Sequence, residues 1–183
     1  MLTHKGTQPI KTKRLLLRRF TIDDAQAAFD NWQSDPNVTQ YLTWQAYTDP
    51  QKAKEYMQSN TIDNYINDNF YRWAIVFENE VVGNIDVTRM NEENLSACFG
   101  YCIGKKWWGK GIVTEALKAM IDYLFSCGFI RIWATHHLDN PASGRVMEKA
   151  GLELEGIIRK KNLNNKGELV DVKQYSIINP AAS

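Results

Sequence analysis

The hydrophobic period of this chain changes across eight residues. Leu95, Ala97, Phe99, Tyr101 and Ile103 alternate as one face of a strand, whereas Val113, Ala116, Leu117, Met120, Ile121 and Leu124 recur as one stripe of a helix. Between them stands GKKWWGKG, residues 104–111, with glycine at three of its eight positions. A strand that turns through glycines into an amphipathic helix has to bury both apolar faces, and a sheet layered with helices does so. The chain therefore reads as α/β.

The flanking segments extend this pattern. RLLLRRF (14–20) is a short apolar strand, and Thr21, with Asp24 three residues on, reads as the cap of a helix carrying Ala25, Ala28, Phe29 and Trp32. Asp35 and Pro36 are expected to end that helix. Thr48, Asp49 and Pro50 open another, since proline is tolerated at the first helical position, with a break expected near Ser59 and Asn60. Residues 73–89 read as two strands turning at Glu78, Asn79 and Glu80. FIRIWATHH (129–137) is a further strand, and a helix runs from Asn140 and Pro141 to Gly151, a natural left-handed terminator. Strands near 155–163 and 169–178 flank a turn at 164–167. The expectation is one domain over residues 1–183, with its core at about 12–178 and a mixed, mostly antiparallel sheet of about seven strands flanked by helices.

A chain of 183 residues, 44% hydrophobic, can bury one substantial core. Its 22 Lys and Arg nearly balance 21 Asp and Glu, which removes the electrostatic argument for a nucleic-acid partner. The N-terminal MLTHKGTQPIKTK lacks an apolar signal core and no run is apolar enough to span a membrane, so a soluble, cytoplasmic protein is expected. Cys98 and Cys102 lie four residues apart in a strand, roughly 13 Å, beyond the about 7 Å that a disulfide spans. Cys127 stands alone. His136 and His137 should point to opposite faces of a strand, so no metal site is expected.

Residues 104–111 match the nucleotide-binding loop G-x-x-x-x-G-K-[ST] up to the last position, where Gly111 replaces the hydroxyl residue that would bind Mg²⁺. Such a loop also follows the first strand of a parallel sheet, and here at least three strands precede it. A second pattern fits better. Lys106-x-x-Gly109-x-Gly111 stands where a Q/R-x-x-G-x-G/A pyrophosphate loop would, followed by a helix, a strand and DNPASGRVMEKAGLELEG (139–156). With KTKRLLLRRFTIDDA near the N-terminus, this order resembles the GNAT acyl-CoA N-acyltransferases, specifically their RimJ/RimL-type branch of ribosomal-protein N-terminal acetyltransferases. The resemblance covers nearly the whole chain.

The resemblance implies a GNAT fold and direct attack of an amine on the thioester of acetyl-CoA. The acceptor it suggests first is a protein N-terminus, with a small-molecule amine as the alternative; a CoA-binding protein without turnover is the reading from another class, and a homodimer is left open. It implies that backbone amides of Trp108, Gly109, Lys110, Gly111, Ile112 and Val113 receive the pyrophosphate, with Lys106 and Lys110 adding charge. Thr114 either bonds a phosphate or its own helix, and Trp107 and Trp108 either pack or cover the cofactor. An N–H near Ile103 would face the thioester oxygen. Asn140 would hold the pantetheine arm besides capping its helix; Met147 occupies the place of the tyrosine that often protonates the departing thiolate in the family, which leaves that proton to Ser143, to water or to no specific group. For the general base, Cys98 and Asn162 stand where related chains carry glutamates, which leaves Asp86 or His136.

Overall fold

The computed structural model describes residues 2–182. One sheet of eight strands runs through it: β1 Ile10–Lys11, β2 Leu15–Arg18, β3 Arg72–Phe77, β4 Glu80–Asn91, β5 Ser96–Ile103, β6 Arg131–His137, β7 Glu153–Leu163 and β8 Leu169–Ile178. Their spatial order is β1-β2-β3-β4-β5-β6-β8-β7. Every neighbouring pair is antiparallel except β5 and β6, which run parallel because a helix connects them. The strand beyond the expected seven is β1, whose two residues are too few to show an alternation.

The helices are α1 Asp24–Ala28, α2 Pro36–Thr39, α3 Pro50–Met57, α4 Ile112–Ser126 and α5 Pro141–Lys149. Thr21 does not cap α1 as expected. Asp23 holds the cap position without a side-chain bond, and the Asp24 carboxylate accepts from the Thr21 N–H at 2.8 Å while also pairing with Arg18. Asp35 and Pro36 likewise do more than stop a helix. After α1 the chain makes a wide turn over Phe29–Gln33, and Asp35 then caps α2 by accepting from the Asn37 N–H at 2.8 Å. Asp49 caps α3 in the same way, and the expected break at Ser59 and Asn60 falls inside a second wide turn, Gln58–Ile62. Glu78 and Asn79 both adopt positive φ (51° and 63°), the conformation of a tight hairpin turn, so β3 and β4 join despite a composition that advertises the turn weakly.

The two faces of the sheet bury different layers. Ile112, Leu117, Met120 and Leu124 of α4 and Met147 of α5 cover Leu17, Trp73, Ile75, Ile85, Phe99 and Ile132. Each such side chain contributes about 1.5–3 kcal/mol by leaving water. Phe20, Ala28, Trp32 and Met57 cover Ala74 and Val81 on the other face. The pairing of β4 with β5 carries one irregularity. Val87 pairs with Phe99 and Arg89 with Cys98, so Thr88 is an extra residue in β4, a bulge that bends the pair. On the opposite edge of β5, pairing with β6 stops at the same place, Cys98 with Trp133. Past that point the two parallel strands separate.

Candidate active site

The separated strands open a cavity of about 590 Å³, within the range of small-molecule sites. Its floor includes Phe99, Gly100, Tyr101, Cys102 and Ile103 on one side and Thr135, His136 and His137 on the other. The Gly104 N–H bonds back to Val82 O at 2.9 Å. Alternation along β5 then turns the amides of Ile103 and Tyr101 the other way, toward the opening. The Ile103 carbonyl is taken by the Trp108 indole N–H at 3.0 Å, while its own N–H faces the gap.

The glycine loop delivers a helix end to this opening. Gly109 and Gly111 have φ of 75° and 72°, the left-handed region that favours glycine. Gly111 precedes α4 without a side-chain cap, so the first-turn N–H groups of Ile112, Val113 and Thr114 stay free, and their helix presents its positive end. A Cβ at Gly109 would have nothing within 4 Å, leaving the backbone open to approach. Trp108, Gly109, Gly111, Ile112, Val113 and Thr114 all line the cavity. The two tryptophans divide the roles left open by sequence: Trp107 is 4% exposed and packs in the core, and Trp108 is 46% exposed at the mouth.

The expected lysines lie elsewhere. Lys106 reaches Glu80 at 3.4 Å and lies over the Trp107 ring, and Lys110 offers its carbonyl to Arg14 at 3.1 Å. Neither lines the cavity, whereas Arg145 and Lys149 of α5 do. Their spacing of four residues in RVMEK puts both on one face of that helix, a signal that helical periodicity alone could have found.

Asn140 caps α5, accepting from the Ser143 N–H at 3.3 Å, and both residues line the cavity. Ser143 has a partner that sequence reasoning missed. The Tyr101 hydroxyl lies 2.7 Å from Ser143 Oγ and donates to the Ser143 carbonyl at 3.1 Å. Burial pushes the Tyr101 phenol well above its ordinary range, against the pull of Ser143, so it stays protonated. The residues are 42 apart in sequence, and no local pattern links them.

His136 and Asp86 lie on opposite faces. His136 packs under α5, where its Nδ1 bonds His137 O at 2.7 Å and its buried Nε2 has no partner among the described residues. A Cβ at Gly144 would come within 2.8 Å of that Nε2. Burial lowers the His136 pKa, keeping the ring neutral. Asp86 faces the N-terminal helices, half-buried, and accepts from Asn84 Nδ2 at 3.0 Å. Burial pushes its carboxyl above the usual range, with Arg72 and Asn84 pulling the other way. The same face carries Cys98 and Cys102, free thiols; burial pushes Cys102 to about 12, so it is an inert protonated group. Asn162 donates to the Thr135 hydroxyl at 3.0 Å, beside the cavity.

Residues 14–153 match the family model described as an acetyltransferase (GNAT) domain. The chain is 32% identical over 174 residues, 93% of its length and 96% of the relative's, to an uncharacterized N-acetyltransferase p20 of Bacillus licheniformis. It is 38% identical over 81 residues, 43% of this chain and 42% of the relative, to the ribosomal protein uS5 alanine N-acetyltransferase of Escherichia coli. Among solved structures, a ribosomal L7/L12 α-N-protein acetyltransferase in complex with coenzyme A superposes with a TM-score of 0.83 at 23% identity, covering 93% of this chain and 98% of that one. The free helix end, the separated strands and these matches lead to one assignment: the chain belongs to the GNAT family of acetyl-CoA-dependent N-acetyltransferases, with ribosomal-protein acetyltransferases of the RimJ/RimL type among its relatives.

Proposed function

We propose that the protein transfers acetyl from acetyl-CoA to the α-amino group of an acceptor, a protein N-terminus being the form suggested by its ribosomal-protein-modifying relatives. The observation that carries this reading is the uncapped first turn of α4, which opens into the same cavity as the Tyr101 and Ser143 hydroxyls. CoA fits these residues. Its pyrophosphate matches the free N–H groups of Ile112, Val113 and Thr114 and the open backbone at Gly109, with Arg145 and Lys149 supplying positive charge. Its pantetheine arm matches the strand-like opening beside Tyr101 and Ile103, with Asn140 at its edge.

The chain's own groups then divide the work. The Ile103 N–H faces the position of the thioester oxygen and stabilises the negative charge that grows there. Ser143 Oγ–H, held by Tyr101, gives its proton to the departing sulfur. Asp86 takes the proton of the attacking ammonium through water, and its raised pKa brings it nearer to a working base. His136, packed against Gly144 on the other face, serves α5 rather than the acceptor. An α-amino group, with a pKa of about 8, asks little of such a base.

The test is a melting experiment coupled to turnover. Acetyl-CoA at about a hundred times its dissociation constant should add about 2.7 kcal/mol of stability, and ATP with Mg²⁺ should add none. Acetylated product, detected by mass spectrometry on N-terminal peptides, should appear only with acetyl-CoA. Stabilisation by ATP with Mg²⁺ alone, or peptides left unmodified while side-chain amines are acetylated, would overturn the reading.

A further inference from the structure

The face of the sheet opposite α4 and α5 holds a row of three residues in register: Arg72 on β3 pairs with Asp86 on β4, and Asp86 with Gly100 on β5. Gly100 forms part of the cavity floor. It has no side chain to screen its neighbour, and a Cβ there would lie 4.0 Å from Asp86 Oδ1. Asp86 is thus one strand away from the cavity and Arg72 two, about 10 Å between the Cα atoms of Gly100 and Arg72.

Arg72 is unusual in what it lacks. Among the described residues its Nε is buried without a hydrogen-bond partner, and no carboxylate oxygen lies within 4.0 Å of its nitrogens. Asp86, its register partner, bonds Asn84 instead. The Tyr56 hydroxyl of α3 stands within hydrogen-bonding influence of the guanidinium, and Tyr47, just before α3, is also near it, the two rings 6.2 Å apart. A guanidinium carries five donors in a fork that matches a carboxylate, and a buried donor left unmet, as Nε is among the described residues, is costly. The fold keeps that cation beside a carboxylate that does not close on it. An ammonium and a carboxylate on one ligand would satisfy both.

We propose that Arg72 is the anion site of the acceptor pocket: the amine acetylated by this protein carries a carboxylate, held by Arg72 while the nitrogen lies over Gly100 beside Asp86. This rests on the transferase reading above and narrows its substrate. An arginine side chain spans most of the separation from Gly100, so the carboxylate belongs within about two to four bonds of the nitrogen. Two sources share that chemistry, the carboxylate of a free amino acid and an aspartate side chain at the start of a polypeptide.

The experiment compares kcat/KM for matched acceptors: free amino acids against their amides, and peptides beginning with Asp against those beginning with Asn. A charge-assisted pair of about 1.5–3 kcal/mol corresponds to a preference of roughly 10- to 150-fold for the carboxylate member. Arg72→Met, which keeps the apolar stem, should erase the preference without changing the affinity for CoA, and Arg72→Lys should retain part of it. A preference confined to amino acids identifies a small-molecule acceptor; one confined to peptides identifies a polypeptide end. Equal use of both members by the wild type, or an undiminished preference in Arg72→Met, overturns the proposal. If only amines without a carboxylate are acetylated, the proposal fails and the transferase reading stands; if no amine is, both fail.

Discussion

Tyr101 and Ser143 offer a test in which two hydroxyls either act as one device or act separately. The Tyr101 oxygen is 2.7 Å from Ser143 Oγ and 3.1 Å from the Ser143 carbonyl, and its single proton can serve only one of them well at a time. When Tyr101 donates to Oγ, the serine proton is free to meet the sulfur. Ser143→Ala should lower kcat by about 10²-fold or more, the usual worth of a positioned proton donor. Tyr101→Phe removes one hydrogen bond, worth about 0.5–1.5 kcal/mol, so kcat should fall by about 2- to 13-fold. Acting in series, the double variant should be no slower than Ser143→Ala alone. Acting independently, the two losses should multiply to about 200- to 1300-fold. The assay is CoA release at saturating acceptor, with CoA affinity measured separately and expected to stay constant. Multiplicative losses would refute the relay, and wild-type turnover by Ser143→Ala would refute the role of the serine itself.

Gly109→Val should weaken CoA binding by isothermal titration while circular dichroism stays native, because φ of 75° strains the new side chain by about 1–2 kcal/mol and its bulk occupies the open approach; unchanged affinity in a folded variant would remove the loop from the phosphate site. Glu155 is held down to about 2, chiefly by Arg131, with Gln174 and Ser176 also donating to it. Its depressed pKa contributes stability above the ordinary glutamate value of about 4.3 that is lost as pH falls toward 2, so Glu155→Gln should flatten the melting temperature across that window. A melting curve with the same acid slope in both proteins would show that the cluster contributes nothing.

Much of the architecture was legible because it rests on periodicity. The switch from Leu95, Ala97 and Phe99 to Ala116, Leu117 and Met120 marks β5 and α4 whatever surrounds them. The caps at Asp49 and Asn140 carry their own chemistry and could be read in place. What escaped was set by distance. Tyr101 meets Ser143 across 42 residues, and Arg72 lies beside Asp86 only because β3 and β4 fix their register. Lys106 and Lys110 stand in the motif, but an exposed lysine goes where its flexible stem and nearby carboxylates take it, here to Glu80 for Lys106. Thr21 misled for a different reason. The Asp24 carboxylate is committed to Arg18, and the helix starts from Asp23.

The bulge at Thr88 connects these parts. An extra residue in β4 increases its local twist, and β5 follows because it pairs with β4 on both sides of the bulge. A strand bent toward one neighbour leaves the other, and β6 loses contact with β5 at Cys98, directly opposite. Had pairing continued, the Tyr101 and Ile103 amides would be spent on β6 and the cavity would be a closed sheet. Thr88 is pinned there, its hydroxyl donating to Cys98 O at 3.2 Å and its methyl 3.1 Å from where a Gly100 Cβ would stand. Gly100 therefore has two reasons to lack a side chain: room for the bulge, and an unscreened path from the cavity to Asp86. One inserted residue thus supplies both the free amides at the cavity and the open row beneath it.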